Sequence, residues 1–553
     1  MKTTKHRALI SVYDKSGLLP LAAFLKDEGW EIISTGGTAK YLSDNKIVVT
    51  DISSITGFPE CLDGRVKTLH PAIHAGLLAK RDKPEHMATL QELNIETIDL
   101  VCVNLYPFFE KAIESYEGKL NLDDTIEFID IGGPSMLRSA AKNFKDVIVL
   151  SESGDYDSIM EALKGGKSPK DVDISQKRAL AGKVFDLTSA YDAAIARYLL
   201  NTEDTSFPKY WPMSLEKKQN LRYGENGHQS AALYLSTGPL GCFASMQQLH
   251  GKELSYNNIR DLDLAWKAAC AFGLPEAGVQ PLGEDSVVKA GEAAGIKLES
   301  ASNSLVCCAA IKHNTPCGLA LGKTLNEAFV KAKACDPISI FGGIVACNTT
   351  VDADTAAKLH DIFLEIVAAP AFDDEALEIL KKKKNLRIIK MTGAPVETHE
   401  CISIDGGLLT QSADRTLLSK WEVVTKLAPP PELYKDMLFG MRAVTYAKSN
   451  AIVVVNNLAA LGIGCGQTNR IWAAEQALER AAKNTIAEKY NTKPLVMASD
   501  AFFPFPDCVE AAAKAGIKAI IQPGGSVNDD QSIEACDKLG VAMVFTGARH
   551  FKH

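Results

Sequence analysis

The sequence predicts an α/β protein that opens with a parallel, doubly wound sheet, and three observations predict it. Short apolar runs alternate with stretches of helical period from residue 7 onward. The runs are apolar throughout, as strands covered on both faces are. The chain's 553 residues imply about three or four compact units at ~100–200 residues per domain, each with a core of its own.

Taken in order, Arg7–Tyr13 reads as a strand, Ser16–Glu28 as an amphipathic helix and Glu31–Thr35 as a second strand. Gly36 and Gly37 then lead into a helical Thr38–Leu42. Ile47–Ile52, Leu100–Leu105 and Val147–Leu150 continue the strand series, with helices around His86–Asn94 and Ser135–Asn143. A long helical segment, Gln176–Leu200, ends where Thr202–Ser206, Pro208 and Pro212 break the pattern, which marks a domain boundary. The remainder is again α/β, read as two units. Its strands include Leu305–Ile311, Ile340–Cys347, Ala451–Asn456, Pro494–Ala498 and Ala519–Gln522, with helices at Asn326–Ala334, Ile471–Thr485 and Pro506–Lys514. Asp373–Lys384 reads as a solvated helix, Pro429–Pro431 as a rigid connector and Pro281–Ser304 as a surface excursion. No short-period repeat of the solenoid kind is present.

Composition excludes several classes. With 46% apolar residues and both charge signs the chain is neither disordered nor collagen-like. No run approaches the ~18 apolar residues of a membrane span, and Met1–Tyr13 lacks an apolar signal core. A net charge of −8 offers no broad basic surface to nucleic acid. The thirteen cysteines contain no C-x-x-C spacing, so they read as reduced thiols in a cytoplasm. His70 and His74 have helical ligand spacing, but Pro71 intervenes and no further ligand follows, which argues against zinc. Gly318–Thr324 falls one residue short of a phosphate-binding P-loop. Gly462, Gly464 and Gly466 miss the dinucleotide fingerprint by one position.

The densest chemistry of the first part is Gly64–Pro71, where Arg65 and Lys67 flank one apolar residue and Thr68 follows. Two readings stand: a solvated edge, or a clamp for phosphate or oxyanion built from a planar fork and a point charge. The Thr35–Thr38 turn adds free backbone N–H groups and favours a nucleotide monophosphate. Asn104–Pro107 and Ile129–Pro134 end apolar strands, the position that lines the ligand crevice of a doubly wound sheet.

These motifs together resemble the bifunctional purine-biosynthesis family that joins phosphoribosylaminoimidazolecarboxamide (AICAR) formyltransferase to IMP cyclohydrolase. The resemblance rests on Ser11–Lys15, Thr35–Thr38, Gly57–Glu60, Arg65–Pro71 and Ile129–Gly133 in the first part. It continues through Leu221–Asn226, Lys312–Pro316, Phe341–Gly343, Lys448–Ala451, Gly466–Ile471, Ser499–Phe505 and Arg549–His553, and so covers essentially the whole chain. It implies a methylglyoxal-synthase-like cyclohydrolase domain over residues 1–200. A formyltransferase domain of two cytidine-deaminase-like units is implied over 201–553, divided near 390–430. The implied reactions are formyl transfer from 10-formyltetrahydrofolate to AICAR and dehydrative closure of formyl-AICAR to IMP, the last two steps of IMP synthesis.

The resemblance also assigns residues. For ring closure it implies binding by Ser11, Tyr13, Asp14, Lys15, Thr35, Gly36, Gly37, Thr38, Arg65, Thr68, Asn104, Ile131, Gly132 and Gly133. Lys67, Tyr106, Asp130 and Lys142 are implied around the reacting groups, with Lys142 as proton donor and acceptor. For transfer it implies His313 as proton acceptor, assisted by Lys312. AICAR is implied to meet Arg222, Tyr223, Gly342, Glu365, Asn450 and Arg470, with both arginines suited to phosphate. Glu365 stands where some relatives carry Asp. The folate is implied to meet Ile471, Phe502, Asp507, Ser526, Val527 and Arg549. No redox cofactor and no zinc is implied; a monovalent cation is compatible, and so is a homodimer with the transferase site built from both chains.

Overall fold

Unbroken apolar runs need cover on both faces, and the first sheet shows how they obtain it. The computed structural model describes residues 5–62, 65–200, 207–238, 240–275, 278–299, 305–484, 493 and 495–553. Gly64, the Thr202–Ser206 break, Thr485, Pro494 and the end of the Pro281–Ser304 excursion lie outside them. The chain divides into two units, Met1–Glu216 with Ser236–Pro239, and Lys217–Leu235 with Leu240–His553.

In the first unit β1 (Arg7–Ser11), β2 (Glu31–Ser34), β3 (Thr50–Asp51), β4 (Leu100–Val103) and β5 (Ile148–Leu150) form a parallel sheet. The strand order is β3-β2-β1-β4-β5, the doubly wound arrangement the sequence predicts. Ala8–Ile10, Leu100–Val103 and Ile148–Leu150 are all buried, which accounts for their unbroken apolar character. Helices α1 (Leu18–Asp27), α2 (Gly36–Asp44), α3 (Gly132–Lys142) and α4 (Ile174–Leu200) belong to this unit. The strand expected over Ile47–Ile52 shrinks to two residues. Asp51 captures the Ser53 N–H at 2.9 Å and starts a short helix there, because a local carboxylate outbids the ladder. The strand order reverses between β1 and β4, and that switch point opens a crevice at their carboxyl ends.

The second unit holds a twelve-stranded sheet whose order reads the same way from both ends. One half comprises β8 (Gln247–His250), β9 (Val306–Lys312), β10 (Thr315–Gly322), β11 (Ile344–Cys347), β12 (Ile366–Ala369) and β13 (Arg387–Lys390). The other comprises β16 (Glu422–Val423), β17 (Ile452–Asn456), β18 (Ala459–Gly464), β19 (Val496–Ser499), β20 (Ala519–Gln522) and β21 (Ala542–Phe545). Each half is an antiparallel hairpin, then an antiparallel neighbour, two parallel strands and an antiparallel edge. The halves join where β10 meets β18, with Ala320 opposite Ala459. Two further ladders stand apart, β6 (Leu215–Leu221) with β7 (Ala231–Ser236) and β14 (His399–Ile404) with β15 (Gly407–Ser412).

Each half carries α5 (Tyr256–Cys270) or α7 (Tyr434–Val444) before its hairpin, and α6 (Leu325–Cys335) or α8 (Arg470–Ala482) after it. This repeat explains both near-miss glycine motifs. A Cβ on Gly318 would run into Ala332 O of α6, and one on Gly462 or Gly464 into Ala477 O or Ala473 O of α8. The glycines let a helix lie close on its strand, and no phosphate grip is needed to account for them.

Candidate active sites

The crevice between β1 and β4 is a cavity of about 630 Å³. Its rim is fastened by Asn104, just past β4, and Thr38, in the first turn of α2. Asn104 Oδ1 accepts from the N–H groups of Tyr13 (2.6 Å) and Asp14 (3.2 Å), and its Nδ2 donates to Asp14 O at 2.8 Å. Thr38 Oγ1 accepts from Val12 N (3.0 Å) and donates to Val12 O (2.9 Å). Ser11, Lys15, Thr35 and Gly37 line the same cavity, and Tyr13 and Tyr106 meet edge to face above it at 5.8 Å.

Asp130 begins the opposite wall. Its Oδ1 accepts from Gly133 N at 2.8 Å, so the carboxylate caps α3. Burial pushes this carboxyl above the usual carboxylate range, against the pull of backbone N–H groups and the nearby Lys67. Gly133 has no room for a Cβ beside Asp130 Oδ2, and one on Gly132 would lie 2.5 Å from Thr68 Oγ1. Lys67 lies in the cavity 3.8 Å from Glu60, and a Cβ on Gly36 would stand 3.4 Å from its Nζ. Arg65 also lines the cavity but is exposed and paired with Glu127. Ile131 lies at the mouth, more than half exposed.

Two expected residues stand elsewhere. Asp14 turns away to accept from Ser16 N (2.9 Å) and Ser16 Oγ (2.7 Å), bonds that hold its carboxyl below the usual range. Lys142 does not line the cavity. It is exposed at the far end of α3, roughly 15 Å along the axis from Gly132 at 1.5 Å per residue. The cavity of this chain thus gathers Lys67, Tyr106 and Asp130 but not Lys142. Conversely, Tyr191 was not legible from sequence: its Oη accepts from Asp130 N (2.8 Å) and donates to Phe128 O (2.9 Å) from within α4. In a helix of ordinary amphipathic pattern nothing marks it.

The second site gathers on the twelve-stranded sheet. His313 and Asn314 form the β9–β10 turn, both with left-handed backbone (φ 52° and 54°). Asp261 on α5 accepts from both amides, at 3.1 and 2.6 Å. Lys312 Nζ donates to Phe341 O at 2.6 Å, which sets it beside Gly342. Glu365 follows through its N–H to Gly343 O (2.9 Å), but its carboxylate is paired with the buried Arg387 at 2.6 Å. Arg222 lies over the Tyr223 ring at 5.5 Å, and the next turn is held to α5 by the Glu225–Arg260 pair at 3.1 Å.

From the other half, Arg470 Nη2 donates to Asn450 Oδ1 at 2.6 Å and Nη1 to Ser499 Oγ at 3.0 Å. Arg470 also pairs with the fully buried Asp500, so it anchors Asn450 and is largely spent on internal partners. The antiparallel run from the Ala320–Ala459 pair carries the far end of β18, and Gln467 bonded to Asn450 beyond it, toward the Lys312–His313 turn. Phe502 is half-buried while Phe503 is core. Asn528 Nδ2 donates to Pro504 O at 2.9 Å, which brings the Ser526–Val527 loop, with Val527 fully exposed, to the Phe502 segment. Ile471 packs on the core from the first turn of α8, and Asp507 Oδ1 accepts from Cys508 N at 2.7 Å. Arg549 stacks on Phe551 at 4.5 Å, next to His550, whose N–H reaches Asp500 O at 2.9 Å.

His70 caps the helix that opens at Pro71, accepting from Ala72 N, and His74 meets Ser139 Oγ at 3.0 Å. Among the described residues no helix is long and apolar enough to cross a membrane, and no cluster of three or more His, Cys, Asp or Glu is placed to hold a metal.

A family model described as "AICARFT/IMPCHase bienzyme" matches residues 140–480, and one described as "MGS-like domain" matches 17–135. A protein described as bifunctional purine biosynthesis protein PurH from Clostridium perfringens is 53% identical over 549 residues, 99% of this chain and 100% of that one. One of the same description from Clostridium botulinum is 52% identical over 547 residues, 99% of each chain. A solved structure titled "Crystal structure of ForH" is 38% identical, covering 35% of this chain and 96% of its own, with a TM-score of 0.32.

Proposed function

The chain belongs to the AICARFT/IMPCHase bienzyme family, and from that premise we propose that it converts AICAR to IMP by formyl transfer and ring closure at separate sites. The near-full-length likeness carries this reading. 10-Formyltetrahydrofolate is the formyl donor. The unit of residues 1–200 is assigned to ring closure and that of 201–553 to transfer, its two halves read as deaminase-like units.

In transfer, the 5-amino nitrogen of AICAR attacks the formyl carbon and N10 of the folate leaves. That amine is a poor nucleophile, so His313 accepts its proton as the C–N bond forms, and Lys312 stabilises the oxyanion of the tetrahedral intermediate. The contacts of Lys312 with Phe341, and of Asn450 with Arg470, support AICAR lying between the two halves of the sheet. The folate is assigned to the Phe502 and Ser526–Val527 face. In ring closure, the carboxamide nitrogen attacks the formyl carbon and water leaves. Lys67 and the N–H groups of the Thr35–Thr38 turn meet the developing oxyanion, while Asp130 relays protons and Tyr106 closes over the base. Lys142, outside the cavity of this chain, is assigned as proton donor and acceptor on the family resemblance alone.

Purified protein supplied with AICAR and 10-formyltetrahydrofolate is expected to yield IMP by mass spectrometry. Absence of both IMP and formyl-AICAR overturns the reading. His313→Ala is expected to abolish transfer and spare closure of supplied formyl-AICAR, and Lys67→Ala to do the reverse. The family resemblance supports a homodimer, tested by sedimentation at assay concentration, and a cytoplasmic location, tested by cell fractionation. A monovalent cation rests on the resemblance alone; turnover compared in potassium, sodium and tetramethylammonium salts tests it.

A further inference from the structure

The twelve-stranded sheet contains one turn twice. In the first half, α5 sends the Asp261 carboxylate to the amides of His313 and Asn314, at 3.1 Å from Oδ2 and 2.6 Å from Oδ1. In the second, α7 sends Asp436 to Asn457 and Leu458, at 3.0 Å from Oδ2 and 2.6 Å from Oδ1. All four turn residues have left-handed backbone, with φ between 51° and 56°. Side-chain-bearing residues keep that conformation when surroundings over-determine it, and here one carboxylate does so with two acceptor oxygens. An amide could not replace it, because it has one acceptor oxygen and its NH2 would face a second N–H.

The two turns differ in what surrounds them. Leu458 O accepts from Leu321 N at 2.8 Å and Asn457 O from Lys331 Nζ at 3.2 Å, so the second turn is used to join the halves. His313 in the matching position is exposed. We propose that Asp261 is a positioning residue for formyl transfer, clamping the His313–Asn314 amides so that the imidazole leaves the sheet in one direction. This rests on the reading of His313 as the proton acceptor. A base misplaced by about 1 Å loses rate on the order of 10²-fold while the substrate's own contacts persist.

The test compares full-length Asp261→Asn, Asp261→Glu and Asp436→Asn with the parent protein. Asp261→Asn is expected to lower kcat for transfer by about tenfold or more, with KM for AICAR within about twofold and ring closure unchanged. Asp261→Glu keeps both acceptors on a longer arm and is expected to fall between; it also carries the test if the amide variant melts early. Asp436→Asn is expected to lower the melting temperature and leave the kcat of folded protein near parental. Parental kcat in both Asp261 variants, with His313→Ala inactive, overturns the clamp and leaves the base reading intact. Transfer surviving in His313→Ala overturns the base reading itself.

Discussion

At the scale of single residues, the side chains that matter are set by what they are denied. Asp130 is denied water, and burial lifts its carboxyl above the usual range. The folded state therefore binds this proton more tightly than the unfolded one, so the ionised carboxylate works against folding as pH rises through its raised pKa. Asp130→Asn is expected to lose ring closure in a protein that still folds, since Oδ1 can still accept from Gly133 N. A melting curve paired with a closure assay checks this, and a variant that closes the ring at the parental rate removes Asp130 from the chemistry. In the parent, the acid limb of the closure rate is expected above the ordinary aspartate range, and absent from any residual rate of the variant.

At the scale of elements, glycine decides how closely helices approach strands in the second unit. Gly464→Ala forces a Cβ into Ala473 O of α8 and is expected to cost about 1–3 kcal/mol, read from urea unfolding. An unchanged midpoint would mean the strand–helix contact is looser than described. Elements with a local signal were legible: the strand runs at β1, β4 and β9 follow from apolar sequence. The ladders β6–β7 and β14–β15 were not, because β6, β14 and β15 are largely solvated and lack an unbroken apolar run. Strand β10 was not read from sequence, because its glycines, one residue short of a phosphate loop, break the apolar run; they make room for α6.

At the scale of the whole molecule, the two assigned sites share no residue, and formyl-AICAR is the product of one and the substrate of the other. His313→Ala protein mixed with Lys67→Ala protein is therefore expected to restore IMP formation from AICAR, with a lag while formyl-AICAR builds up in solution. Failure of the mixture, with each variant retaining its spared activity, would mean the intermediate does not pass through solvent.

The sequence by itself determined the α/β class, the parallel first sheet and the motifs that carry the family, because apolar period and contiguous motif runs are local properties of the chain. The tertiary structure decided which of those residues meet. It set Lys142 at the end of α3 beyond the residues that line the crevice, although twelve positions after Asp130 gave no hint of direction. It brought Tyr191 to Asp130 and Asp261 to His313 from distant helices. It also fused the halves of the second unit into one sheet through Ala320 and Ala459. Such partners are chosen by packing between segments far apart in sequence, and no local pattern encodes that choice.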